Sequence, residues 1–130
     1  SSLMDFNVLD YTNATVSIKS LISKNKSVIY FWNEDFASEE FISSKINHLT
    51  KKHPKLNFIG VKFGKNNLVY NKGFDIKKQF YVTDKSIANA FLTSKLPRTI
   101  LVDKKGKIID GFASLSSNKI FNQLIDLDKK

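Results

Sequence analysis

The chain has 130 residues, 42% of them hydrophobic and 12% aromatic, which suits one packed domain over residues 1–130 and excludes a disordered segment. It contains no cysteine, which excludes disulfides, thiol catalysis and zinc–thiolate sites together. The net charge of +9 raises nucleic-acid binding, but the lysines are spread along the sequence as a solvated surface and Arg98 is the one arginine, so no nucleic-acid partner is expected.

No apolar run approaches the roughly 20 residues that span a bilayer. The start, Ser1 to Phe6, reads as a mature chain from which any targeting segment has been removed. Met4 to Leu9 and Thr15 to Lys19 are short strand candidates around the turn-prone Asp10-Tyr11-Thr12-Asn13, and Ser20 to Ser23 suits one helical turn. Ser27-Val28-Ile29-Tyr30-Phe31-Trp32 is a nearly continuous apolar run, the pattern of a strand covered on both faces.

After the acidic stretch Asn33-Glu34-Asp35 comes a helix with Phe36, Ile42, Ile46 and Leu49 on one side, and Glu39, Lys45, Lys51 and Lys52 toward water. Asn33 or Asp35 can cap its start, and Pro54 stops it. Phe58 to Phe63 reads as a second buried strand, completing a right-handed βαβ unit with parallel strands. Gly64 to Lys78 gives little pattern beyond a helical turn near Asp75 to Lys78, followed by a short strand at Gln79 to Val82. Asp84 can cap a helix through Ile87, Ala88 and Phe91. Leu96-Pro97-Arg98 leads into a strand at Thr99 to Val102, and Asp103-Lys104-Lys105-Gly106 turns it onto Lys107 to Asp110. A last amphipathic helix starts near Ser117, with Ile120, Phe121, Leu124 and Ile125 on one side.

The order of these parts resembles the thioredoxin superfamily, in the TlpA-like branch of bacterial cell-envelope thiol-disulfide oxidoreductases. Asp5 to Leu9 and Thr15 to Ile18 resemble the branch's N-terminal hairpin, and Val28 to Trp32 its strand leading to the active site. Leu96 to Ile109 resembles its cis-proline loop and last hairpin. The resemblance implies an α/β thioredoxin-like fold: a central mixed β-sheet with helices on both faces, Thr99 to Val102 antiparallel within it, and a cis Leu96–Pro97 bond. In the redox-active members Trp-Cys-x-x-Cys follows the strand, and a thiolate at the helix N-terminus attacks disulfides. Here Asn33-Glu34-Asp35-Phe36-Ala37-Ser38-Glu39-Glu40 stands there, a shorter segment with neither cysteine nor Ser-x-x-Ser.

No catalytic residue, metal site or cofactor is expected. Glu34, Asp35, Glu39 and Glu40 lack the spacing of a calcium loop and suit the helix dipole instead. His48 and His53 do not share a helical face and read as surface histidines. The expected function is a redox-inactive thioredoxin-like binding or interaction module in a bacterial cell envelope or periplasm. The alternative is an enzyme with non-thiol chemistry, or one whose activity another chain completes. The candidate binding residues are Trp32, Asn33, Glu34, Asp35, Phe36, Leu96, Pro97 and Arg98, facing a protein or extended peptide at the cis-proline groove. Trp32 either packs over the helix start or forms a semi-exposed aromatic patch with Phe36, and Arg98 either pairs with Glu34 or Asp35 or contacts the partner.

Overall fold

Two apolar runs, Val28 to Trp32 and Phe58 to Phe63, find cover on both sides, and the rest of the chain is arranged to provide it. The computed structural model describes residues 2–66, 76–87 and 96–113. Along the chain come β1 (Asn7–Leu9), β2 (Thr15–Ser17), α1 (Ile18–Ile22), β3 (Ser27–Trp32), α2 (Glu39–Lys52), β4 (Asn57–Phe63), a 3-10 turn at Ile76–Lys78, β5 (Gln79–Val82), β6 (Arg98–Val102) and β7 (Ile108–Ala113). The strands form one mixed sheet in the order β2-β1-β5-β4-β3-β6-β7. As the βαβ pattern requires, β3 and β4 are parallel, with Val28 opposite Phe58 and Trp32 opposite Lys62. β5 continues parallel to β4, and β6 runs antiparallel to β3 with Phe31 opposite Arg98.

Alternation along the strands divides the core in two. Ile29, Phe31, Ile59, Val61, Ile100 and Val102 face one side, where Ile18 and Ile22 of α1 cover them. Val28, Trp32, Phe58 and Leu101 face the other, under Ile42, Ile46 and Leu49 of α2. α1 occupies Ile18–Ile22 rather than Ser20 to Ser23, because that frame buries two isoleucines four residues apart on one helical face. The first two strands are shorter than their sequence patterns, since residues before Asn7 and after Ser17 leave the ladder. Between β6 and β7, Asp103 Oδ1 accepts the N–H groups of Lys105 and Lys107, and Gly106 takes the positive φ of 83° that the turn needs.

The Leu96–Pro97 peptide bond is cis. The continuation of the Asp84 helix through Ala88 and Phe91, and the final helix from Ser117, lie outside the described residues. No helix among the described residues is long and apolar enough to cross a membrane.

Candidate functional site

At the carboxyl end of β3 the chain must turn away from the sheet and re-enter as α2. Asn33 starts the turn: its Oδ1 accepts the Asp35 N–H at 3.1 Å and its carbonyl accepts the Phe36 N–H at 3.3 Å. Asn33 and Asp35 are therefore not the helix cap. Ser38 is, with Oγ accepting the Phe41 N–H at 3.1 Å, so the helix begins at Glu39 and Phe36 lies before it. Phe36 is consequently not on the helix's buried face but half exposed, at 50%, and Phe41 on the first turn reaches 59%.

The side chain that organises this corner was not a sequence candidate. Lys62 sits where alternation turns it toward α2, between Trp32 on β3 and Tyr81 on β5, and it is 1% exposed. A buried ammonium requires partners. Its Nζ donates to Glu34 from the turn, to Glu39 from the first turn of α2, and to the Lys65 carbonyl at 2.7 Å. The ammonium also stands 5.6 Å from the Trp32 ring centre, within reach of a cation–π attraction. Tyr81 donates its hydroxyl to the second Glu39 oxygen at 3.4 Å. Burial first, then the charge of Glu39 and this hydrogen bond, push the Tyr81 hydroxyl well above the ordinary tyrosine range. All three ammonium N–H bonds are occupied, so the group carries no free lone pair for nucleophilic chemistry.

This arrangement corrects several sequence expectations. Glu39 does not face water: it is 6% exposed because Lys62 and Tyr81 lie directly beneath the helix start. Trp32 is fully buried among Ile42, Ile46 and Leu49, so packing holds it and it forms no semi-exposed patch with Phe36. His53 is buried rather than on the surface, its ring 6.2 Å from that of Phe58, whereas His48 is exposed. Glu34 also lends a carboxylate oxygen to Lys62, a partner the sequence did not suggest. The one signal for Lys62 was a lone lysine in an otherwise apolar strand, at a position whose parity matches the covered residues Phe58 and Gly60.

The remaining candidates cluster at the same end of the sheet. The pairing of Phe31 with Arg98 brings the Leu96–Arg98 segment beside the Asn33–Phe36 turn. Leu96 packs against the α1-side core, Pro97 is exposed, and Arg98 is half-buried. Glu34 borders two grooves. One, of about 440 Å³, is lined by Asn33, Glu34, Asp35, Lys62, Phe63 and Gly64 together with Lys65. The other, of about 320 Å³, runs along Ala37 to Glu40. Among the described residues, no group of three or more histidines and carboxylates could hold a metal ion.

Neither a protein-family model nor a curated protein matches the sequence. Solved structures do. A Bacteroides vulgatus protein described as a thiol-disulfide oxidoreductase superposes with a TM-score of 0.72 at 25% identity, over 98% of this chain and 88% of that one. A Chlorobium tepidum protein described as the thiol:disulfide interchange protein DsbE gives 0.73 at 14% identity, over 98% and 96%. The exposed lipoprotein thioredoxin of Streptococcus pneumoniae gives 0.64 at 16% identity, over 95% and 100%. The chain has the thioredoxin-like fold, and these structural neighbours are thiol-disulfide oxidoreductases and a thioredoxin, while the chain itself contains no cysteine.

Proposed function

We propose that this thioredoxin-like chain is a redox-silent binding module, and that its partner, a protein or extended peptide, docks where β3 enters α2. One observation carries the reading. Where its neighbours' fold would need a thiol pair, the chain has a closed ion cluster, and beside it two phenylalanines, Phe36 and Phe41, stand half exposed. The buried ammonium is fully occupied, and beside it the exposed Phe36 and Phe41 offer contact surface rather than a nucleophile. Aromatic side chains left in water beside a fixed polar scaffold are the usual anchors of protein recognition. Leu96 and Pro97 border the same end of the sheet, and their main chain belongs to this surface as the strand-addition edge.

Residence in a bacterial cell envelope is part of the proposal. It is supported by the thiol:disulfide interchange protein DsbE and the exposed lipoprotein thioredoxin among the neighbours.

The test is affinity capture from envelope extract with the wild-type chain and a Phe36→Ser/Phe41→Ser variant. Both side chains are exposed, so the variant keeps the wild-type melting temperature to within the small effect of surface substitutions. Loss of a specific captured partner in the variant is the expected result. Identical capture by both proteins would contradict the reading.

A further inference from the structure

Half of the chain's twenty lysines fall in separate sequence groups, and the fold brings those groups to one edge. Lys24 and Lys26 precede β3, and Lys77 and Lys78 precede β5. Lys51 and Lys52 end α2, and Lys55 leads from it into β4. These three strands are parallel, so all of these residues gather at their amino ends. β6 runs the other way, with Val102 opposite Ser27, which delivers Lys104, Lys105 and Lys107 of the β6–β7 turn to the same edge. Direct contacts tie the groups together: Asn57 donates its N–H to the Lys26 carbonyl at 2.9 Å and accepts from Lys78 Nζ at 3.0 Å. All but Lys26 and Lys78 are exposed, and those two are half-buried. With strands about 4.8 Å apart, the order β5-β4-β3-β6 lays the groups out in a row. Among the described residues the row holds the carboxylate of Asp103, which accepts the N–H groups of Lys105 and Lys107. At the opposite edge stand all three glutamates of the chain, Glu34, Glu39 and Glu40.

We propose that the basic edge docks on the surface of a bilayer carrying anionic phospholipid headgroups. The complementarity is that of many lysines against a diffuse layer of phosphate charge, which attracts each lysine near the surface independently. The cation type separates this partner from a polynucleotide. Among the described residues every cation in the row is a lysine, a hydrated point charge, while Arg98 begins β6 at the far edge. The apolar neighbours point the same way. Met4 (52% exposed) and Ile109 (48%) flank the basic turn, since the Leu3 N–H donates to the Gly106 carbonyl at 2.7 Å and Ser2 bridges to Lys107. Aliphatic side chains beside lysines enter the headgroup–acyl boundary and offer no ring on which a base could stack. Docked by this edge, the chain turns Phe36 and Phe41 away from the bilayer and leaves them open. The membrane claim stands independently of whether those residues bind a partner.

The experiment is cosedimentation of the intact chain with vesicles of phosphatidylcholine alone and with 30% phosphatidylglycerol, in 0.1 M salt. Two variants with the same net charge are compared, Lys55→Glu/Lys104→Glu/Lys105→Glu in the row and Lys45→Glu/Lys65→Glu/Lys85→Glu outside it. Both are checked for an unchanged melting temperature. The proposal expects binding only to anionic vesicles, weakened more than tenfold by the row variant and less than threefold by the other. Equal weakening by both variants would show a general effect of net charge and overturn it. So would equal binding to neutral vesicles, or tighter binding to a single-stranded oligonucleotide with the same dependence on the row.

Discussion

Lys62 is the residue on which the rebuilt corner depends, and its energetics are lopsided. A buried ion pair offers little net stability over an apolar replacement of the same shape, but removing one partner strands the other. Lys62→Met should therefore cost about 3–5 kcal/mol by leaving Glu39 buried without its cation, and Lys62→Met/Glu39→Leu should recover much of the loss. Urea unfolding of the two variants and Glu39→Leu closes the cycle, and strict additivity would mean the pair is not coupled. Trp32→Ala should cost about 3–5 kcal/mol as a core truncation, whereas Phe36→Ala should stay within about 0.5 kcal/mol. Tyr81 gives a pH signature. Its hydroxyl ionises less readily in the folded chain than in the unfolded one, whose tyrosines titrate near about 10. The contribution is thus complete below that pH and is lost as the pH rises through and above it, so Tyr81→Phe should flatten the alkaline fall of the unfolding free energy. Little of this was legible in the sequence. An acid in a first helical turn fits the dipole whether it points outward or inward, and only tertiary contacts turned Glu39 toward Lys62.

At the scale of elements, the strands that build the centre were legible because their apolar runs are long and a βαβ unit constrains them. β3 and β5 match their sequence patterns residue for residue, and β6 adds Arg98. β7 spans Ile108–Ala113 and so runs three residues past the expected end at Asp110. The start of α2 did not, because Asn33, Asp35 and Ser38 are equally suited to capping by type. Asn33 spends its side chain on the turn, leaving Ser38 to hold the helix. Ser38→Ala should then cost about 1 kcal/mol and Ser38→Asp almost nothing, while Asn33→Ala leaves the cap intact. Thermal unfolding separates these outcomes, and an equal loss from Asn33→Ala would put the cap elsewhere. Close packing of α2 on the sheet has its own marker in Gly60. A Cβ there would lie 2.5 Å from Gln79 Oε1 and 2.9 Å from Ile46 Cδ1, so Gly60→Ala should destabilise by about 1–3 kcal/mol despite its strand position.

For the whole molecule, topology converts an even-looking sequence into a polar object. Helix α2 runs against the strands it connects, so its amino end with Glu39 and Glu40 and its carboxyl end with Lys51 and Lys52 lie at opposite edges, each charge matching the helix dipole. The lysines read as spread because sequence distance hides that the starts of three parallel strands and the end of an antiparallel one share an edge. The same topology holds Phe36 and Phe41 at the other edge, where disulfide exchange would need a thiolate that this chain cannot form. Insulin reduction by the purified chain should not exceed buffer, and turnover that survives repurification would contradict that expectation. The absence of native cysteines also makes a decisive labelling experiment clean. A single cysteine introduced by Phe36→Cys or, as a control at a distant turn, Tyr11→Cys can carry a benzophenone photocrosslinker. The account predicts that illumination in envelope extract yields a discrete crosslinked partner from the label at position 36 and none from position 11. Identical adducts from both positions, or no adduct from either, would contradict a binding surface at the β3–α2 corner.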